Sequence, residues 1–341
     1  MKVTIIHPSE LGPSELDQWR AWQATRLEWQ NPFLAPEFTL AVGRARPGAR
    51  VGVIEDGGRV VGFFPHEIRG KVIGKAIGAG ISDCQVVLHE PGFDFDAMAL
   101  IRACGLPVWE FDHLLADQRP FQPYHTEREG SPLLDLRDGF EAYLQQRRAA
   151  TKGSIKAALR KQRKLAREWG ELKFEYDTRD PELLPTLMRW KSAQYRRTGM
   201  MDRFEVSWIR QVVEELAASR APGCAGVMSA LYAGGRLVAM DFGLRGGPIL
   251  VDWFPAYDRA ASAYSPGLQL ALLMAEAAAA SGVHQIDLGK GQAEFKDTLK
   301  NAELMIATGR VERSRSVALA RRVHLRLVPT LRDTIRQIRT R

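Results

Sequence analysis

The sequence predicts an α+β protein with two tandem, similarly organised halves and mixed, mostly antiparallel sheets flanked by helices. Three observations carry that expectation. A strand–helix–strand crossover reads clearly between Pro248 and Leu288. Three strands joined by Gly-Gly turns, the pattern of an antiparallel meander, run directly before it. A helix-first pattern like the one that opens the chain starts again at Pro181. At 341 residues the chain is also longer than one core usually supports.

In order, Val3 to Ile6 is a short apolar strand, and Ser14 is placed to cap a tryptophan-rich helix (Trp19, Trp22, Trp29) that stops at Asn31-Pro32. Pro36 begins a second short helix. Val51 to Ile54 and Val60 to Phe64, joined through Asp56-Gly57-Gly58, form a hairpin signal. Glycine-punctuated strands continue to about Ile77, followed by a helix over Phe95 to Cys104 and a strand over Val108 to Phe111. These make a first unit, residues 1–130. Residues 131–180 are a bridge, with a strand from Ser131 to Leu136, a basic helical stretch from Gly139 to Trp169 and a returning strand from Leu172 to Tyr176. The second unit, residues 181–312, has two helices, the meander (Ala225 to Tyr232, Arg236 to Leu244, Ile249 to Phe254), the crossover, and a last strand over Glu303 to Val311. Residues 313–341 form a basic tail with spaced aliphatics.

The net charge of +8 is uneven, collecting between Arg147 and Arg167 and again after Arg310. Lys152, Lys156, Arg160, Arg163 and Arg167 fall three and four apart and so share a helix face. That face suits an anionic lipid- or nucleotide-linked substrate or an aminoacyl-tRNA, and equally a solvated linker. The tail suits peripheral contact with an anionic membrane surface. Three well-separated cysteines without a CxxC argue for a reducing compartment and against disulfides or structural zinc. No apolar run reaches bilayer length, and a cytoplasmic protein, peripheral at most to the inner membrane, is the expectation.

The crossover marks the candidate site. Ser265 is placed as a side-chain N-cap, Pro266 sits where its missing N–H costs nothing, and Gly282 ends the helix. The start of such a helix offers free N–H groups and partial positive charge to a phosphate, so Ser265 and Gly267 are candidate donor-binding residues. Asp252, in an apolar strand, would have a raised pKa and could take a proton; a buried aspartate held by backbone or an arginine is the rival reading. Asp241 follows the same logic. Either Tyr257 or Tyr264 could protonate a leaving group or be a core tyrosine. Lys191, Gln194 and Tyr195 share a helix face that lines a pocket or faces solvent. Lone His66 and His284 lack metal spacing, and no metal site is expected.

Six segments in order complete the reading: NPFLAPEF (Asn31 to Phe38), SDCQ (Ser82 to Gln85), WKSAQYRRTG (Trp190 to Gly199), WFPAYD (Trp253 to Asp258), YSPG (Tyr264 to Gly267), and DLGKG with EFK (Asp287 to Lys296). Together they resemble the CelD/BcsL-type acyltransferases of cellulose and exopolysaccharide synthesis, within the GNAT superfamily, and more distantly the Fem-type aminoacyltransferases. The resemblance implies tandem GNAT-like domains and an acetyl or other acyl group moved from coenzyme A to an amine or hydroxyl of an envelope or polysaccharide precursor. It further implies donor contacts from Arg259 and Lys290, and acceptor contacts from Trp253, Asp287, Lys296, Ser82, Asp83 and Gln85; for Lys296 the alternative is a salt bridge to Glu294 or Asp287. The usual GNAT pyrophosphate loop, an Arg or Gln followed by spaced glycines, is absent before Ser265; only Arg259 and Gly267 remain of it. Two alternatives stay open, an aminoacyl-tRNA-dependent ligase and a non-catalytic scaffold of a polysaccharide synthase complex.

Overall fold

The computed structural model describes residues 1–69, 73–291 and 293–313, and within them one continuous sheet of 14 strands runs the length of the molecule. The first half contains β1 (Lys2–Ile6), α1 (Pro13–Gln23), α2 (Pro36–Ala45), β2 (Ala49–Asp56), β3 (Arg59–Arg69), β4 (Ile73–Ala76), β5 (Leu88–His89), α3 (Ala97–Ala103) and β6 (Val108–Leu115). Then come β7 (His125–Asp135), α4 (Phe140–Ala150), α5 (Ser154–Trp169) and β8 (Leu172–Glu175). The second half follows with α6 (Leu183–Thr198), α7 (Ser207–Ala218), β9 (Arg220–Ala221), β10 (Cys224–Ala233), β11 (Arg236–Gly246), β12 (Ile249–Tyr257), α8 (Pro266–Ala280), β13 (Gln285–Asp287), α9 (Glu294–Leu299) and β14 (Ala302–Glu312).

The two halves repeat one scheme. In the first, β2, β3 and β4 pair antiparallel and β4 then pairs parallel with β6. In the second, β10, β11 and β12 pair antiparallel and β12 pairs parallel with β13. The closing strands are exchanged. β7 leaves the first half to pair with β13, and β14 leaves the second to pair with β6. The two pair with each other from Ala302 opposite Leu133 to Gly309 opposite His125. The final strand, placed by the sequence in the second unit, lies between β6 and β7 of the sheet. Sequence period fixes that a strand exists but not which edge it joins.

Helices cover both faces. α1, α2, α6 and α7 lie over one apolar cluster that extends through both halves, from Trp19 and Phe63 to Val212 and Phe254. α4, α5 and α8 cover the other face of the second half, and α3 that of the first. The basic stretch is two helices, broken at Thr151 to Gly153, where Lys152 and Gly153 have positive φ. α5 is no free linker: Ile155, Ala158 and Leu165 are buried against the α8 core while Lys156, Arg160, Arg163 and Arg167 are exposed. The first helix starts at Pro13, a residue before the expected Ser14 cap, because proline is preset for the first turn. The tail from residue 314 lies outside the described residues, and no described helix is long and apolar enough to cross a membrane.

One local feature shapes the site. Phe242 pairs with Phe254, but Leu244 pairs with Val251, so β12 carries one extra residue at Asp252–Trp253. This β-bulge shifts the alternation, which lets Val251 and Phe254 join the same apolar cluster despite their odd spacing. Gly243 makes the bulge possible, since a Cβ there would lie 2.4 Å from the Val251 carbonyl oxygen. Gly243→Ala is therefore expected to destabilise the protein by about 1–3 kcal/mol through overpacking, read as a lower urea midpoint. An unchanged midpoint would count against the bulge.

Candidate active site

β12 pairs with β13 only over Ile249 to Val251, opposite Gln285 to Asp287, yet it runs on to Tyr257. Past Val251 the edge of β12 that faces β13 has no strand partner among the described residues, and the Pro255 carbonyl accepts a hydrogen bond from Lys191 Nζ at 3.1 Å. β13 pairs on its other side with Leu133 to Asp135 of β7. A gap thus opens between β12 and β7 where the short β13 ends. Lys296 of α9 reaches back here, donating to the Gly289 and Lys290 carbonyls at 2.9 Å each.

Four aspartates and four cationic or titratable groups meet around that gap. Asp241, which is buried, and Asp252, which is half-buried, lie on neighbouring strands, and among the described residues each has an Oδ1 with no hydrogen-bond partner. Burial, then the charge of Asp252, raises Asp241 well above the usual carboxylate range. Burial also raises Asp252, but the hydrogen bond with Asp241 and the charges of Lys296 and Lys191 oppose it. Of the two, Asp241 is raised the further. Burial lowers both Lys191 and Lys296, with Asp252 the first opposing charge for each. Asp83, on the loop after β4, is raised by burial against the pull of His113, Arg203 and Lys296. His113 Nε2 lies 3.5 Å from Asp83 Oδ1, and 28% of the Asp83 side chain stays accessible. Gly289, at φ 69°, packs against it; a Cβ there would come within 3.0 Å of Asp83 Oδ2.

The other end of the gap is the start of α8. Ser265 adopts a left-handed conformation (φ 54°, ψ 54°), and its side chain does not cap the helix. Its hydroxyl accepts instead from Lys161 Nζ of α5, at 2.8 Å. Tyr257 is exposed and lies beside Gly267, whose added Cβ would be 3.7 Å from Tyr257 Cδ1. A cavity of about 210 Å³ adjoins, lined by Trp190, Gln194, Arg197, Tyr257, Asp258 and Arg259 among others.

Residues 153–297 match the family model described as an acetyltransferase (GNAT) domain. That stretch is similar to GNAT acetyltransferase domains. It begins with α5, so the basic helix is part of the matched region. FemX has the same fold, with TM-score 0.56 and 10% identity over 93% of this chain and 99% of that one. A tandem GNAT protein from the clavulanic acid biosynthesis pathway gives TM-score 0.52 and 12% identity over 92% and 98%. The C-terminal domain of a putative lysylphosphatidylglycerol synthetase from Agrobacterium fabrum gives 0.51 and 12% over 82% and 88%. At these identities the likeness is one of fold, and the α+β architecture expected from the pattern is the one these proteins share. No curated protein matches the sequence.

Several side chains singled out from the sequence are occupied inside the protein. Trp253 donates its indole N–H to the Ile81 carbonyl at 2.9 Å and packs on Phe33, so it pins the two halves together. Asp287, 1% exposed, accepts from Gly289 N (2.9 Å), Ser131 Oγ (3.1 Å) and Asn31 Nδ2 (3.2 Å), which saturates it as a brace. Ser82 Oγ donates to the Cys84 carbonyl. Gln85 bonds Asp112 Oδ1 and the Asp112 and His113 amides. Lys290, expected at the donor, bonds the Asp112 carbonyl and Glu129 of the first half. The Tyr264 hydroxyl bonds Glu168. Tyr195 is buried under Lys191, whose Nζ lies 5.2 Å from the ring.

Arg203, His113, Asn31, Ser131 and Lys161 join the site without having been singled out. Lys161 lay in a run of like charges with nothing local to distinguish it. Arg203 lies outside every motif, in the short turn after α6. His113 did carry a signal, an Asp-His pair inside an apolar strand.

The Asp287 brace makes a testable prediction. Asn31 also accepts from Phe33 N through its Oδ1, so its Nδ2 must face residue 287. Asp287→Asn sets donor against donor and should cost about 1–3 kcal/mol. Burial raises Asp287 to about 6. The native state therefore holds its proton more tightly than the unfolded chain, and this stabilisation is lost as pH rises from about 4 through about 6. The stability gap between wild type and Asp287→Asn should be widest below pH 4 and narrow towards pH 6, measured by urea denaturation across pH. A gap independent of pH would refute the assignment.

Proposed function

We propose that this protein transfers an acetyl or other acyl group from coenzyme A to an amine or hydroxyl of a cell-envelope or exopolysaccharide precursor. The observation that carries the reading is the gap along β12. At one end lie the start of α8, Lys161 and Ser265, where a diphosphate meets free N–H groups and a cation. At the other end lies the carboxylate and lysine cluster. Asp252 and Tyr257 are five residues apart on one strand, roughly 16 Å at strand rise. That is the span between the phosphates and the thioester of a coenzyme A thioester laid along the bare edge, so Tyr257 falls at the phosphate end.

In this reading the acceptor nitrogen or oxygen attacks the thioester carbonyl, and the C–N or C–O bond forms as C–S breaks. Asp83 takes the acceptor's proton: its side chain stays 28% accessible and lies beside His113. The thiolate leaves towards Lys296, which protonates it, and Asp83 and Lys296 reset by exchanging that proton. The Asp241–Asp252 pair fixes the charge of Lys191 beneath them. The motif resemblance to exopolysaccharide-linked acyltransferases supports an envelope acceptor, as does the fold shared with a putative lysylphosphatidylglycerol synthetase domain. A cytoplasmic site of action, with the basic tail at the inner membrane, fits such a precursor. A second reading, transfer from aminoacyl-tRNA, is favoured by the exposed cations of α5 and would show as RNase-sensitive copurification of tRNA.

Isothermal titration with acetyl-CoA and thiol release on adding acceptor test the proposal. Asp83→Asn is expected to lower kcat by about 10²–10⁴-fold while leaving acetyl-CoA affinity unchanged. Because burial raises Asp83, the wild-type rate should fall on its acid side at a pH above the ordinary aspartate range. Lys161→Ala should weaken donor binding by at least about tenfold, the loss of one charge-assisted bond. Absence of acetyl-CoA binding to the wild type would overturn the reading.

A further inference from the structure

The first half carries a second polar concavity that the donor gap does not use. A cavity of about 350 Å³ lies on the sheet face where Lys75, Glu110, Asp112, Thr126, Thr308 and Arg310 come together from β4, β6, β7 and β14, with Arg69 and the Ala79–Gly80 turn at its side. Alternation explains the polarity. Trp109, Phe111 and Val311 belong to the cluster on the α3 side, so Glu110, Asp112 and Arg310 take the opposite face.

Its chemistry is specific. Lys75 pairs with Glu110, and Arg310 Nε lies 2.7 Å from Glu312 Oε1. Arg69 donates through Nη2 to the Ala79 carbonyl, and its buried Nε has no hydrogen-bond partner among the described residues, facing the Glu67 carboxylate at 3.9 Å. Among the described residues that guanidinium, its side chain 41% accessible, makes one hydrogen bond and one long ion pair and so has donors to spare. Thr126 and Thr308 spend their hydroxyl protons on carbonyls, of Thr308 and Asp112, and keep oxygen lone pairs that accept from a ligand's hydroxyls. One spare cation, two hydroxyl acceptors and a cavity at the small end of the ligand range match a sugar ring with one acidic group.

The cavity wall is also linked to Asp83 through side chains. Asp112 lines it, and Asp112 Oδ1 lies 3.0 Å from His113 Nδ1, whose Nε2 is 3.5 Å from Asp83. Lys290 binds the Asp112 carbonyl from the other side. No helix as long as α8 follows β4, so the half has no counterpart of the donor phosphate site; α3 has 7 residues.

We infer that this cavity binds an anionic sugar unit, a hexose with a carboxylate or phosphate, belonging to the acceptor. The assignment of that sugar to an acceptor rests on the acyltransferase reading; the binding does not. Titration of the full chain with glucuronate, glucose 6-phosphate and glucose, followed by saturation-transfer NMR and calorimetry, tests it, with acetyl-CoA titrated into the same samples. At least one anionic sugar should bind about tenfold or more tighter than glucose, and Arg69→Ala should remove that preference. Thr126→Val, nearly isosteric, should weaken all three sugars alike while acetyl-CoA affinity stays at the wild-type value. Preference for glucuronate identifies a carboxylate and preference for glucose 6-phosphate a phosphate. If acetyl-CoA binds but the three sugars bind equally or not at all, the inference is overturned and the enzyme reading stands. If an anionic sugar binds through Arg69 and acetyl-CoA does not, the cavity stands and the acyltransferase reading falls.

Discussion

Everything in this molecule hangs on the pairing of β7 with β14. Each strand closes the other half's sheet, and their shared ladder makes one sheet of two repeats. Backbone hydrogen bonds in such a ladder are obligatory, because an unpaired buried N–H or C=O is costly. Neither half can therefore complete its sheet alone. The exchange also fixes the site: β7 brings Ser131 to Asp287 and Glu129 to Lys290, and the first half brings Asp83 and His113 over the loop that follows β13.

The cluster at that junction holds more charge than a core usually tolerates. Isolated buried carboxylates are expensive, and the structure meets that expense in three ways. Asp287 accepts three hydrogen bonds. Asp241 is held well above the usual carboxylate range by burial and by Asp252. Asp83 keeps a solvent-reachable surface and cations around it. These environments push four chemically identical side chains towards different protonation behaviour, the condition for dividing acid, base and brace roles among them.

Some of this was legible in advance. The meander, the crossover and the Pro266 start of α8 follow from period and turn chemistry that act within a few residues. Asp241 and Asp252 were visible as acids in apolar strands. Yet Trp253, Asp287 and Gln85, which looked like ligand contacts in their motifs, turned out to bond the protein itself, since a motif marks a position and not which way its polar atoms are spent. Ser265 kept its place at the helix start but its hydroxyl went to Lys161, from a helix about a hundred residues earlier in the chain.

By itself, then, the sequence determined the local elements, their order, and the acids and glycines around the crossover, because these depend on spacing and backbone preference. Only the tertiary structure decided that β14 joins the first half, that a bulge turns Asp252 towards Asp241, and that Asp83, His113 and Arg203 share one site with Lys296. Strand partners and buried ion clusters are settled by contacts between residues far apart in the chain, and periodicity carries no information about which distant edge or charge will be met.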